Sequence, residues 1–350
     1  MNITYNFIPN GSTATANPGQ IYIDVGNDFA PGHLDHHQAS APATCTAILV
    51  LNHPEYVLAN AQGESVQLIT HLYPDLDAIS GIYFARAHLH KLPSAPAFRV
   101  WADYVCQMDR GETVLAPAQP LTPYSVFIMR LHHVSQAHTS PEAKSLAMLE
   151  SGLDFIAIVI AKLEKGQDIT APDFLTDVAA FQTEIQAVQA DWHRYQADMV
   201  TVEPFECELP RVDGGGVKTV PSLWIEQPTA ILFKAWARGD ALRAGQGDGF
   251  VFTGVQINPH RAILSVMPDQ GVNLKGLGEA LEIAETLKRE KLGQPRIGQN
   301  RPGYNSPDPW YDGRSPLHAY TIVDAPHQGS ILSPAEIRQV FEKWLNQFTL

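Results

Sequence analysis

Cysteine is scarce in this chain. Its 350 residues hold three, Cys45, Cys106 and Cys207, far apart and forming no C-x-x-C pair. That excludes a disulfide framework and argues against a cysteine-held zinc, so buried, reduced thiols in a cytoplasmic protein are the expectation. Long apolar runs are missing as well; with none near the roughly eighteen residues a membrane helix needs, no membrane partner is expected. The start, MNITYNFIPNGS, has neither the basic stretch nor the apolar stretch of a secretory leader. Positive charge is also short: 24 Lys and Arg stand against 37 Asp and Glu, for a net charge of −13. Gripping long nucleic acid takes a basic footprint, which argues against processive work on long duplexes. No internal repeat is evident.

What is present is an ordinary globular composition, 45% hydrophobic and 17% charged, over a length that suits two domains. The acid is unevenly spread. Residues 1–113 carry ten Asp and Glu against four Lys and Arg, whereas residues 251–350 carry ten of each. Acidic clusters attract cations, divalent ones above all.

Patterning predicts an α/β protein. QIYIDVG and SVQLITHLYP read as short buried strands. APATCTAILVLNHPEYVL reads as helix broken at Pro54, and DAISGIYFARAHLHKL as helix ending before Pro93. AFRVWADYV is expected to be another strand. Strands alternating with helices imply a parallel sheet with ligand residues at the strand ends, here over residues 1–140. Residues 141–200 read as a helical connector. Residues 201–350 read as an α+β domain, with strands at VTVEPFECEL, SLWIEQ, GFVFTGVQI, RAILSVMP and AYTIVDAP. Its helices are LKGLGEALEIAETLKREKLG, with a Glu285–Arg289 pair and Gly293 past its end, and SPAEIRQVFEKWL, with Ser333 and Glu336 in capping-box spacing.

Two stretches carry chemistry. In IYIDVGNDFAPGHLDHHQ, Asp24 ends an apolar run, and Asp35, His36 and His37 follow within fourteen residues. The bland reading is a polar turn. The sharper one is a metal site, because carboxylates and neutral imidazoles are what borderline divalent ions take. THLYPDLDAISG sets His71, Asp75 and Asp77 as H-x3-D-x-D directly after a strand, and extended chain would point Asp75 and Asp77 the same way.

Together these motifs resemble the DHH phosphoesterase superfamily, which holds RecJ-type nucleases, oligoribonucleases, phosphoadenosine phosphatases and type II inorganic pyrophosphatases. The DVG and DHHQ wording is most similar to its DHH-like exonuclease branch. The resemblance spans about residues 20–112, and the motif order is permuted: H-x3-D-x-D ordinarily precedes DHH and here follows it. A site is defined by geometry rather than by chain order. The resemblance implies a DHH-type parallel-sheet N-terminal domain and two Mn²⁺ or Mg²⁺ ions held by Asp24, His36, His71, Asp75, Asp77 and Asp109, with Asp103 as the alternative to Asp109. It implies that Asp24 bridges the ions, that His37 faces the phosphate, and that Asp35 orients a histidine. The reaction expected is phosphoester hydrolysis on short oligonucleotides or small nucleotides. The alternatives are a pyrophosphatase-like hydrolase of small phosphates and a regulatory module that binds nucleotide with little turnover. A homodimer is left open.

Substrate contacts are less sharply marked. In VDGGGVK, the backbone of Gly214, Gly215 and Gly216 together with Lys218 could meet a phosphate, and a hairpin turn explains the glycines equally well. The loop RPGYNSPDPWYDGR holds Arg301, Tyr304, Asn305, Trp310, Tyr311 and Arg314 among prolines and glycines. Its aromatics and arginines suit a nucleotide-facing surface, with Asp324 and His327 as neighbours. Its bland reading is a structural loop covering a core edge. His132 and His133 have no acidic companion, and packing is the expectation for them.

Overall fold

A computed structural model describes residues 1–92, 95–298, 300, 301 and 303–348. The protein is a mixed α/β chain with two five-stranded mixed sheets, and it packs as two compact units. The first comprises residues 1–110, 121–188 and 315–317; the second comprises residues 111–120, 189–314 and 318–350.

The first unit opens with β1 (Asn2–Ile8), β2 (Gln20–Ile23), β3 (Phe29–Ala30) and β4 (His33–Leu34). Next come α1 (Thr46–Asn52), α2 (Pro54–Asn60), β5 (Ser65–His71), α3 (Leu76–Leu89) and α4 (Pro96–Asp109). Then follow α5 (Pro123–Gln136) and α6 (Pro141–Glu164). Its sheet runs β1-β5-β2-β4-β3, parallel except for the final β4–β3 pair. Strands β2 and β5 are buried apolar runs, as their sequence predicts. β1 is not marked by sequence: NITYNFI alternates exposed and half-buried residues at the sheet edge, so few of its side chains need be apolar.

AFRVWADYV is helix, not strand. Pro96 sits at the first helical turn of α4, and Ala97, Phe98, Trp101, Ala102, Val105 and Cys106 bury one face at helical spacing. The apolar residues fall in adjacent pairs one turn apart, which a short window mistakes for a strand run. Pro93, read as the barrier after α3, lies outside the described residues; α3 itself ends at Leu89. Gly81 on α3 lets that helix lie directly on β2, since an added Cβ would sit 2.6 Å from Ile23 Cγ2.

The stretch read as a connector contains α6 and α7 (Gln182–Asp198), and the division between units falls inside α7, after Val188. The second unit continues with β6 (Phe205–Pro210), β7 (Val217–Glu226), α8 (Phe233–Arg238), α9 (Ala241–Ala244), β8 (Phe252–Asn258) and β9 (Arg261–Val266). It ends with α10 (Leu277–Leu292), β10 (Ile322–Asp324) and α11 (Pro334–Leu345). Its sheet order is β10-β9-β8-β7-β6, antiparallel except for β7–β8. Leu277 and Leu281 of α10 and Ile337, Phe341 and Trp344 of α11 close its core, with Phe341 stacked on Phe252 at 4.6 Å. The Ser333–Glu336 capping box forms, and Gly293 caps α10 in the left-handed region. The Glu285–Arg289 pair forms at 2.8 Å, with Glu285 fully buried and also accepting from the Ile331 amide. The three cysteines are free and buried. Among the described residues no helix is long and apolar enough to cross a membrane.

Candidate metal centre

Three parallel strand ends set up the site. β5 finishes on His71, β2 runs out into Asp24, and β4 runs out into Asp35 and His36. The registers Tyr22–Ile69 and Ile23–Leu34, with the Asp24 amide donating to the Leu34 carbonyl at 3.0 Å, bring these ends level. Asp24 turns the chain with a φ of 60°, a left-handed conformation that Asp and Asn tolerate best among side chains with a Cβ.

Asp24 occupies the centre. Its Oδ1 lies 3.4 Å from His36 Nε2, and its Oδ2 lies 3.4 Å from His71 Nε2. His71 Nδ1 bonds the Leu72 carbonyl at 2.9 Å, which leaves Nε2 to face the carboxylates. Three groups of ligand atoms lie within 4.8 Å of one another: Asp24, His71 and Asp75; His36, Asp77 and Asp109; and Asp24, His36 and His37. These groups could hold a metal ion.

Asp75 and Asp77 do not point the same way. The helix begins at Leu76, so Asp75 is the extended N-cap of α3 and Asp77 lies in its first turn. One turn of helix therefore sends Asp75 toward His71 and Asp77 toward His36 and Asp109. Asp75 accepts from the amides of Asp77 and Ala78, and Asp77 accepts from those of Thr46 and Ala47 at 2.7 and 2.8 Å. Asp77 thus stands against the positive end of α1. Asp103 is paired with Arg99 at 2.9 Å on the exposed side of α4, whereas Asp109, at the helix end, joins the cluster. Asp35 takes both the amide and Nδ1 of His37, at 3.0 and 2.7 Å, and its other oxygen takes the Asn27 amide at 2.7 Å. It therefore orients His37, not His36.

Thr46 is a participant that the sequence did not suggest. Fully buried at the head of α1, it donates its hydroxyl to Asp24 Oδ1 at 2.8 Å. A lone Thr before an apolar run carries no metal signal, and only the fold brings it to Asp24.

The electrostatics suit a cation. Burial pushes the Asp77 and Asp109 carboxyls well above their usual range, and the neighbouring carboxylates, Asp24 and Asp75 among them, push the same way. Burial would also raise Asp24, yet its interactions with His36 and His71 hold it well below. Burial opposes charge on His71 and His37. Even so, Asp24 and Asp75 raise His71 to about 9, and Asp35 and Asp24 raise His37 to about 9. Asp109 Oδ2 is buried without a hydrogen bond among the described residues, 3.7 Å from His36 Nε2. Separations of 3.4–3.7 Å are long for direct hydrogen bonds. Ligand atoms grouped this closely without bonding one another could hold a metal ion between them. The donor set, mostly carboxylate with imidazole, is of a kind that holds metal ions.

No family model matches the chain, and no curated protein or solved structure is significantly similar to it.

The remaining candidates belong to the second unit, apart from two histidines on α5. Gly214, Gly215 and Gly216 form the exposed β6–β7 turn, with Gly214 and Gly216 at positive φ, and Lys218 Nζ donates to the Gln270 carbonyl at 2.8 Å. In the 301–314 loop Trp310 is buried in the core and Arg314 is engaged locally, 2.8 Å from Asp312 and 4.3 Å over the Tyr304 ring. Arg301 touches His327 and lies 5.0 Å over Tyr311. His132 and His133 are exposed on α5 and belong to no metal-binding group among the described residues.

Proposed function

We propose that the protein is a divalent-metal-dependent phosphoesterase of the DHH type, a hydrolase of short oligonucleotides or small nucleotides. The observation that carries this reading is Asp24, whose two oxygens face two separate histidine–carboxylate groups from one buried position. Asp24, His71 and Asp75 would hold one ion; His36, Asp77 and Asp109, with the second oxygen of Asp24, the other. Two such ions supply a more acidic water at neutral pH and neutralise charge on a phosphoryl group.

The remaining chemistry belongs to the chain. His37 is held at Nδ1 by Asp35, is 28% exposed, and carries its proton up to about pH 9. Its Nε2–H is available to donate to a phosphoryl oxygen or to the departing one. Asp35, fixed by the Asn27 amide, keeps the ring in that orientation and stabilises its positive charge. Thr46 and the head of α1 hold Asp24 and Asp77 in place through their hydroxyl and amide donors.

The test is hydrolysis of bis-p-nitrophenyl phosphate, a dinucleotide and pyrophosphate with Mn²⁺ and with EDTA. Manganese-dependent turnover that is lost in EDTA is expected. No hydrolysis of any of the three at saturating Mn²⁺ would remove the catalytic reading.

A further inference from the structure

The second unit gathers cations of its own. Asp324 on β10 and Tyr311 exchange two backbone hydrogen bonds, at 3.0 and 2.9 Å. Arg301 covers the Tyr311 ring and touches His327 Nε2. Arg261 at the start of β9, Arg301 and Lys234 on α8 all act on the Asp324 carboxyl. Arg301, with His327 attached to it, thus lies over the residue paired with Asp324, and the backbone next to Arg261 bonds the residue after Asp324.

The fold leaves key atoms of this cluster without a partner. Among the described residues Asp324 Oδ1 is buried and accepts no hydrogen bond, and Arg301 Nε is buried and donates none. Lys234, half-buried, has no carboxylate oxygen within 4.0 Å among the described residues. Arg243, Arg289 and Arg314 of the same unit, by contrast, each have a carboxylate oxygen at 2.7–2.8 Å. Leaving several enclosed polar groups unmatched is costly, so such a set marks a place kept for a ligand. Burial, joined by the charge of Arg238, brings the Lys234 ammonium down to about 7 against the pull of Asp324. Burial also holds Asp324 above its usual range despite the cations. Both groups would be relieved by an anion carrying its own hydrogen-bond donor.

We propose that Lys234 and Arg301, flanked by Arg261 and His327, bind the phosphate of a small phosphomonoester, and that Asp324 accepts a hydrogen bond from a hydroxyl or amino group of the same ligand. A nucleoside monophosphate has that chemistry. Arg supplies a planar fork for phosphate oxygens and Lys a point charge, the usual division of labour at phosphate sites. The site uses residues of the second unit alone and stands independently of the metal reading.

The experiment is calorimetric titration of the full chain in EDTA with AMP and, separately, with inorganic phosphate. Both should bind. Lys234→Gln and Arg301→Gln should each weaken both ligands by about tenfold or more, the scale of a lost charge-assisted contact. Asp324→Ala should weaken AMP and spare phosphate. Far-UV circular dichroism checks each variant; if Lys234→Gln does not fold, Arg301→Gln decides. Failure of the wild type to bind either ligand in EDTA overturns the proposal, and so does binding that a folded Arg301→Gln chain retains in full. Failure to bind Mn²⁺ would count against the metal centre alone.

Discussion

Replacing Thr46 by valine removes one hydroxyl and keeps the shape of the side chain. Thr46 is fully buried, its Oγ1 is 2.8 Å from Asp24 Oδ1, and its amide, which the substitution leaves in place, continues to cap Asp77 at 2.7 Å. The head of α1 should therefore stay where it is, while Asp24 loses the donor that orients it. A hydrogen bond to a charged group contributes about 1.5–3 kcal/mol, and each 1.4 kcal/mol is about tenfold in affinity. Outer partners of metal ligands typically change affinity by about 10- to 100-fold. Thr46→Val should accordingly weaken Mn²⁺ binding by about 10- to 100-fold in calorimetric titration, with the far-UV spectrum unchanged. Affinity within about twofold of wild type would refute the claim that Thr46 holds Asp24 for a cation.

His36→Ala and His37→Ala should part company: the first lowers Mn²⁺ affinity and is partly rescued by excess Mn²⁺, and the second binds Mn²⁺ nearly normally but loses about 10²–10⁴ in turnover. Titration beside single-turnover hydrolysis distinguishes them, and full activity in His37→Ala refutes its role. Without metal, stability should fall as pH rises. His37 and His71 have folded pKa values of about 9 against about 6.5 for free imidazole. Their stabilisation is therefore whole below about pH 6.5 and lost as pH passes 9. Asp77 and Asp109, also raised in the fold, push in the same direction. Melting curves in EDTA from pH 6 to pH 9.5 check this, and Mn²⁺ should restore more stability at the alkaline end; an apo melting temperature that climbs across that range contradicts it. Gly81→Ala forces a methyl to within 2.6 Å of Ile23 and should cost about 1–3 kcal/mol in denaturant unfolding, with weakened Mn²⁺ binding because β2 carries Asp24; wild-type stability would show that the contact relaxes freely.

Legibility in the sequence followed physical distinctness. Buried strands such as QIYI and LITH announce themselves, the first running out into Asp24 and the second ending on His71, and the parallel registers carry both to one edge. Pro54, Ser333 and Gly293 punctuate helices through local geometry, which is readable one residue at a time. α4 reads as a strand because its paired apolar residues fill a strand-length window, although Pro96 marks its start. β1 was invisible because an edge strand need bury little. At the site, residue types were legible and directions were not: the divergence of Asp75 and Asp77 depends on where α3 begins. Thr46 had no local signal at all, since its role exists only across 22 residues of chain.

The shared position of Asp24 is most directly tested by its replacement with asparagine, which keeps the shape and tolerates the 60° φ equally well while removing the charge. Calorimetric titration with Mn²⁺ should find two ions per wild-type chain and, in Asp24→Asn, loss of tight binding at both. A wild-type chain that takes up no Mn²⁺, or an Asp24→Asn chain that still binds two ions with wild-type affinity, would contradict the account.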